Sequence, residues 1–467
     1  MPAIPLGLGE YQRAQLPQLT LKNYVFEQDP TNLEDQVALI PRPRLKLFGS
    51  AGSGPIRGLY RKGNVLANTS HSGVIICLSG TELYRLNQND GTPTLIGSGI
   101  TGDLIMTAEG NESVVVFAAG SKPYWTDGDA VSEIALPDGF SAWAVDTLNG
   151  YFLLSSDLGR FYWTQPGTTT VSALDYATAE SQPDVLLTLK VIGDELWLFG
   201  RYSIEVWQPT GDPDLPFQRI GGRIFGIGVT GRQSVQKLNV EGVDTICWVG
   251  TDRKVYRTHP NPVRISDHAL EARLKRVADP TQFYAVADNW HGHETYVLHI
   301  PGEGTHAYDL LTGQWSERTS YGRDLFRGGS TCVGPNNQPI FGDDTTNQLW
   351  EFSEDAITDG DDPVTFEFSG LLEVSGGPQR CANVSLDLSP GRSSDPNDDP
   401  MINMAWSDDM GDTWSDEHAR PLGRQGQRNA RVLWTRLPQL QRPGRAFRWR
   451  TTEPVTVRKA KINEALR

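Results

Sequence analysis

The sequence predicts an all-β protein: a six- or seven-bladed β-propeller with an extended N-terminal arm and a small C-terminal β-sandwich. Three observations carry this. An aromatic recurs near the end of a short β-run at Tyr84, Tyr124, Tyr162, Trp207, Tyr256, Tyr308 and Trp350, with gaps of 40, 38, 45, 49, 52 and 42 residues. That is the period of propeller blades. Upstream of each aromatic lies an apolar strand: Gly73–Leu78, Ser113–Ala118, Tyr151–Leu154, Leu196–Phe199, Thr245–Val249, Thr295–Leu298 and Gln338–Phe341. Finally, 48 glycines and 30 prolines accompany few helical patterns, so the chain turns often. A blade buries its face only against the next, so the array must close or be capped. How the terminal strands complete the ring decides between six blades and seven.

In chain order, residues 1–50 read as an arm with prolines and isolated apolar anchors. An extended terminus needs something to tie it down, and docking on a sheet or on a neighbouring chain is expected. Residues 51–360 hold the repeats. The clearest unit runs from Arg264 to Arg318. Ser266 or Asp267 can cap a short helix, whose apolar face is Ala269, Leu270 and Leu274, and Asp279-Pro280 stops it. Strand patterns follow at Phe283–Ala287, Thr295–Ile300, Thr305–Tyr308 and from Trp315, separated by the turn chemistry of HGHE, PGEG and LLTG. Near residue 360 the acidic run SEDAITDGDDP reads as a flexible linker. Residues 361–467 then give strands at Thr365–Val374, Ala382–Leu388, Met401–Ser407, Arg431–Leu437, Ala446–Arg450 and Val455–Ile462, the material of a small sandwich.

Charge is divided unevenly. Residues 420–467 carry 13 Lys+Arg against Glu453 and Glu464, or +11; the whole chain is −15, leaving −26 on residues 1–419. An acidic body argues against wrapping nucleic acid from outside. The arginines Arg424, Arg428, Arg431, Arg436, Arg448 and Arg450 are interface candidates. With Arg442 and Arg445 they are too numerous for one small sandwich to pair internally, and alternation places Phe447 and Trp449 in the core with Arg448 and Arg450 outward. Docking on an acidic face is expected, with DNA phosphate as the competing ligand. No apolar run is long enough to span a membrane, and the N-terminus lacks the basic start and apolar core of a signal peptide. Cys77, Cys247, Cys332 and Cys381 are far apart and read as reduced, buried small hydrophobes of a protein made in a cytoplasm.

Several constellations invite an enzymatic reading. Ser407-Asp408-Asp409-Met410-Gly411-Asp412-Thr413-Trp414 matches the Asp box of sialidase propellers. The box is a hairpin staple: Asp409 with Ser407 and Thr413 binds the turn, Gly411 takes positive φ, and Trp414 packs beneath. It occurs once, outside the propeller, and no pattern marks the arginine cluster or nucleophile pair of a sialidase. His291, His293, His299 and Glu294 lack metal-site spacing and suit a turn or hydrogen-bonding role. Asp359, Asp361 and Asp362, and likewise Asp395, Asp398 and Asp399, lack the EF-hand order and read as solvated loops. Gly221-Gly222, Gly226 and Gly228 do not lead from a strand into a helix, and no nucleophile elbow occurs. No catalytic residue, cofactor or metal is expected.

The ordered motifs of the 264–318 unit carry a resemblance. Ile265-Ser266 with His268-Ala269-Leu270-Glu271, then Gly292-His293 into Tyr296-Val297-Leu298 and Pro301, and finally Tyr308-Asp309, Thr312-Gly313, Trp315 and Glu317-Arg318 resemble short-tailed bacteriophage tail accessory proteins of the packaged-DNA stabilisation, tail-hub or nozzle family. Asn23-Tyr24, Leu39-Ile40-Pro41, Leu45–Phe48, Ala179–Asp184, Glu195–Gly200, Ser203–Trp207, Arg431–Trp434 and Pro454–Thr456 extend the likeness over nearly the whole chain. The resemblance implies a structural, non-enzymatic virion protein assembled in the bacterial cytoplasm. It implies a homohexameric ring below the portal and its head-to-tail adaptor, contacting tail fibres or spikes and a plug or needle. Such a ring retains packaged double-stranded DNA and passes it without sequence-specific binding. The rival readings are a glycan-binding or glycoside-hydrolysing propeller and a cellular propeller scaffold.

Overall fold

The computed structural model describes residues 3–4, 6, 19–28, 37–62, 73–156, 159–179, 184–258, 260–389, 400–423 and 430–463. Among the described residues, seven four-stranded antiparallel blades follow one another around a ring, six of them separate sheets and one the start of a nine-stranded sheet. Blades one to six span residues 56–98, 107–133, 142–178, 186–225, 236–264 and 284–318, each from four consecutive strands. The recurring aromatics all fall on third strands, and the apolar runs upstream of them are the second strands. Those second strands are buried along most of their length, as in Ile75–Ser79, Val115–Ala118 and Pro339–Asp343, because each lies between two neighbouring blades.

The seventh blade settles the count. Its first three strands are Gly328–Val333, Pro339–Asp343 and Gln348–Ser353, and its outer strand is Arg44–Ser50 from the N-terminal arm. Leu45 pairs with Phe352 and Leu47 with Trp350 in that closure. The rest of the described arm belongs elsewhere. Tyr24–Gln28 and Val37–Pro41 form a hairpin that joins Thr456–Ile462 of the C-terminal domain through Leu39–Val457, and Ala3–Ile4 pairs with the same strand. Leu21–Lys22 lies between Gln314–Arg318 of blade six and Phe366–Glu373 of the sandwich, so one nine-stranded sheet crosses from propeller to sandwich.

The sandwich packs two sheets over a core of Tyr24, Phe26, Leu39, Phe366, Phe368, Trp434, Phe447 and Trp449. Hydrophobic residues on alternate strand positions place these inward. The one α-helix among the described residues, His268–Arg276, is capped by Asp267, whose side chain accepts from the Leu270 amide at 2.8 Å. It buries Leu270 and Leu274 against blades five and six. Ser266 does not cap; its hydroxyl donates to Glu271 and accepts from the Val255 amide.

Candidate functional site: seam, arginine strand and propeller axis

The seam between the domains is built from polar groups the sequence scatters widely. Asn23 adopts φ 58°, which an asparagine tolerates. Its Nδ2 donates to Thr319 Oγ1 (2.7 Å) and the Thr365 carbonyl (2.8 Å), while its Oδ1 accepts from Arg42 Nε (2.8 Å). Arg42 is fully buried and pairs with equally buried Asp359 at 2.7 Å; that carboxylate also accepts from the Leu45 amide. Arg44 stacks 4.0 Å over Phe366 and donates to the carbonyls of Ile357 and Thr452. Burial, then the neighbouring Arg42, lowers its pKa to about 9, so it remains charged at neutral pH. The run 353–363 is therefore not a solvated linker. Asp359 is the counter-ion of the closing strand, and Asp362 pairs with buried Arg327, because arginines from distant parts of the chain converge there.

The motifs of the 264–318 unit are framework. His293 is buried, with Nδ1 2.8 Å from Asp309 and Nε2 3.0 Å from Glu27 of the N-terminal hairpin. Burial opposes its charged form, but the bonds to Asp309 and Glu27 outweigh this and raise its pKa above the ordinary value. Arg318 pairs with Asp288 inside blade six, and Trp315 Nε1 donates to the Ile265 carbonyl. His291 occupies a positive-φ turn position (φ 51°) beside Glu354. His299 is buried against Tyr284, and burial lowers its pKa to about 3. These histidines hold a turn, a seam and a blade.

The arginine strand, Gly444–Thr451, alternates as expected: Phe447 and Trp449 are buried, while Arg448 and Arg450 face out half-exposed. The expectation that the arginines are too numerous to pair internally fails for Arg431, Arg445 and Arg450. Arg450 bonds Glu367 at 2.7 Å and reaches Glu417 at 3.2 Å, and Arg431 meets Asp387 at 2.9 Å. Arg445 is fully buried in a two-pronged contact with Asp408, and Arg448 lies 4.2 Å over Trp414. Carboxylates from strands well separated in sequence supply these partners. Arg436 is exposed at φ 61°. Arg424 and Arg428, with Asp395, Asp398 and Asp399, lie outside the described residues. The Asp box folds as a staple: Ser407 Oγ donates to Asp409 at 2.6 Å and accepts from the Gly411 amide at 2.7 Å, and the Thr413 amide donates to Asp409. Trp414 is half-buried with Arg448 over its ring.

Sequence reasoning missed the propeller axis. The inner strands leave two cavities there, about 160 Å³ and about 530 Å³. The first is lined by Met106, Trp143, Lys190, Arg232 and Gln233 among others. The second is lined by Tyr60, Glu109, Lys237, Asp288 and Glu294 among others. Leu59, Tyr60, Gln236 and Thr331 border both, so the cavities lie end to end. Burial, then the field of Asp146, raises the Glu109 pKa to about 7. Only the repeat period hinted at these positions, since each wall comes from a different blade.

Comparison with known proteins agrees with this architecture. Residues 3–357 match the model of the bacteriophage P22 Gp10 β-propeller, and residues 368–464 match that of the P22 Gp10 β-sandwich. No curated protein matches. Among solved structures, the chain is similar to the WD40 β-propeller domain of Doa1 at 12% identity and TM-score 0.43, over 67% of this chain and 97% of that one. It is also similar to BBS1N in complex with ARL6DN, soaked with mercury, at 10% identity and TM-score 0.44, over 68% and 99%. With both domain models matched in order along almost its whole length, the chain belongs to the bacteriophage P22 Gp10 family of phage tail structural proteins.

Proposed function

We propose that the protein is a nozzle subunit: six copies form a ring below the portal adaptor, extend the DNA conduit, retain the packaged genome and receive fibres or spikes. The observation that carries this reading is the match of both domains to one tail protein, in order and over nearly the full length. The propeller axis supports placing the conduit between copies. Its cavities, with walls that include Trp143, Arg232 and Tyr60, have no room for a duplex whose major groove alone is about 12 Å wide. A conduit bordered by the acidic bodies of several copies would repel DNA phosphates, so the genome slides. The continuous sheet and buried seam suit a rigid part, and the Asp box serves as a hairpin staple, so the role is mechanical. Among the interface candidates, Arg448 and Arg436 are the described ones without a carboxylate partner, and they are proposed to face a neighbouring subunit or the adaptor. Electron cryomicroscopy of the assembled tail tests the reading: six-fold density for this chain is expected, and any other symmetry overturns the stoichiometry.

A further inference from the structure

The end of the propeller axis nearest Trp143 has a chemistry that no assembly role requires. The connection from blade four to blade five is pinned on several sides. The Val229 amide donates to the Gly200 carbonyl, Ser234 Oγ donates to the Gly231 carbonyl at 2.6 Å, and the Ala285 amide donates to the Gln233 carbonyl. A side chain at Gly231 would meet the Phe283 carbonyl at 2.7 Å, so the loop sits hard against blade six. From this fixed backbone Arg232 lays its guanidinium 3.8 Å over the Trp143 ring. Among the described residues, no hydrogen bond or ion pair engages that guanidinium. Beside it, Gln233 Nε2 is buried with no acceptor. Charged neighbours are Asp103, which is exposed, and Arg201. Arg57 is spent on the carbonyls of Gly80, Leu104 and Ala119.

We propose that this end of the axis is a carboxylate-binding pocket, with Arg232 as the anion-binding group, Gln233 as a second donor and Trp143 as the platform holding the guanidinium flat. A planar guanidinium stacked on one face keeps its edge N–H groups for a two-pronged contact, the geometry a carboxylate matches. The cavity of about 160 Å³ takes a carboxylate on a short aliphatic stem, with Met106, Val235 and Val286 as apolar wall. A free organic acid and the acidic side chain of a docked chain share this chemistry. Binding is independent of the ring reading, since the pocket lies within one propeller.

Calorimetric titration of the full chain at constant ionic strength tests this, with glutarate, its neutral analogue glutaramide, and a glycine-flanked peptide carrying one central glutamate as probes. Saturable binding of glutarate or the peptide is expected, with none for glutaramide. Arg232→Met, which keeps the stem over Trp143, weakens that binding at least tenfold. Arg276→Met, on the exposed helix, leaves it unchanged. Binding of the peptide alone assigns the source to a docked chain; binding of glutarate assigns it to a free acid as well. Equal binding of glutaramide, no binding of either acid, or unaltered binding by Arg232→Met overturns the proposal. The glutaramide comparison uses the unaltered protein and holds even if the variant misfolds.

Discussion

The seam and the arginine strand use the same residue type to opposite ends. Arg42 and Arg44 are sealed from water, Arg42 held by Asn23, Thr319 and Asp359 and Arg44 by the carbonyls of Ile357 and Thr452. Arg448 and Arg450 stand half in solvent on a strand whose other face is the sandwich core. In the first region Arg42 and Asp359 are both sealed in, so neither can leave without stranding the other; in the second, Arg450 is itself half in solvent, so water can enter where its guanidinium stood and reach Glu367. Burial of the arginine itself, rather than the count of arginines, decides how much each contributes.

The comparison breaks most visibly at Arg42. Arg42→Met leaves Asp359 buried without its counter-ion, and removing one partner of such a pair costs about 3–5 kcal/mol. Chemical denaturation followed by tryptophan fluorescence should show a markedly lowered midpoint. A change below about 1 kcal/mol would mean that water reaches Asp359.

Arg450→Gln is the matching test on the exposed side. Because the guanidinium is close to half-exposed but Glu367 beneath it is buried, a loss of about 1–3 kcal/mol is expected, below that of Arg42→Met and shrinking as salt is added. Arg450→Glu should cost more, because it sets a third carboxylate beside Glu367 and Glu417. A salt-independent loss equal to that of Arg42→Met would erase the distinction between the regions. Arg448→Gln removes only the stacking on Trp414, about 0.5–1 kcal/mol. Its proposed effect is on assembly, read as a lower yield of rings at unchanged monomer stability.

The smallest effect sharpens the contrast by pH. His293 sits at the seam with its pKa raised, so its native state binds more protons than the unfolded chain. Its contribution is complete below the ordinary histidine value of about 6.5 and is lost as pH rises through the higher native value. In His293→Gln the stability slope above about pH 6.5 should flatten relative to the parent. An unchanged slope would show that the imidazole is neutral throughout. Glu109 adds to the same trend from the axis. Its raised value means stability falls as pH climbs from the ordinary carboxylate range to about 7.

Much of the fold was legible because blades announce themselves locally. Tyr84, Tyr124 and their successors mark third strands, and Asp267 announced its helix. The partner of the closing strand was not legible. Arg44–Ser50 reads as arm because its pairing with Gln348–Ser353 spans about three hundred residues, a distance no local pattern encodes. Asp359 reads as solvated for a similar reason: an acidic run looks exposed until Arg42 is brought to it. The pairing of Arg450 with Glu367 was missed likewise, since nothing in either strand's alternation names its neighbour. The axis was least visible, for Trp143 and Arg232 meet only once the ring is closed.

The closing strand also sets an order of events in time. Residues 44–50 leave the ribosome early but find their partner only after residues 348–353 have been made, and Ala3–Ile4 must wait for Lys461 and Ala460. Through most of its synthesis the nascent chain therefore holds an open ring whose closing outer strand is unpaired. A chain cut short before residue 359 lacks Asp359, so Arg42 beside its closing strand has no counter-ion. Synthesis of the sandwich strands is thus the step that makes the seam, and fragments released before it are distinguishable from folded subunits by an exposed edge strand that proteases can reach.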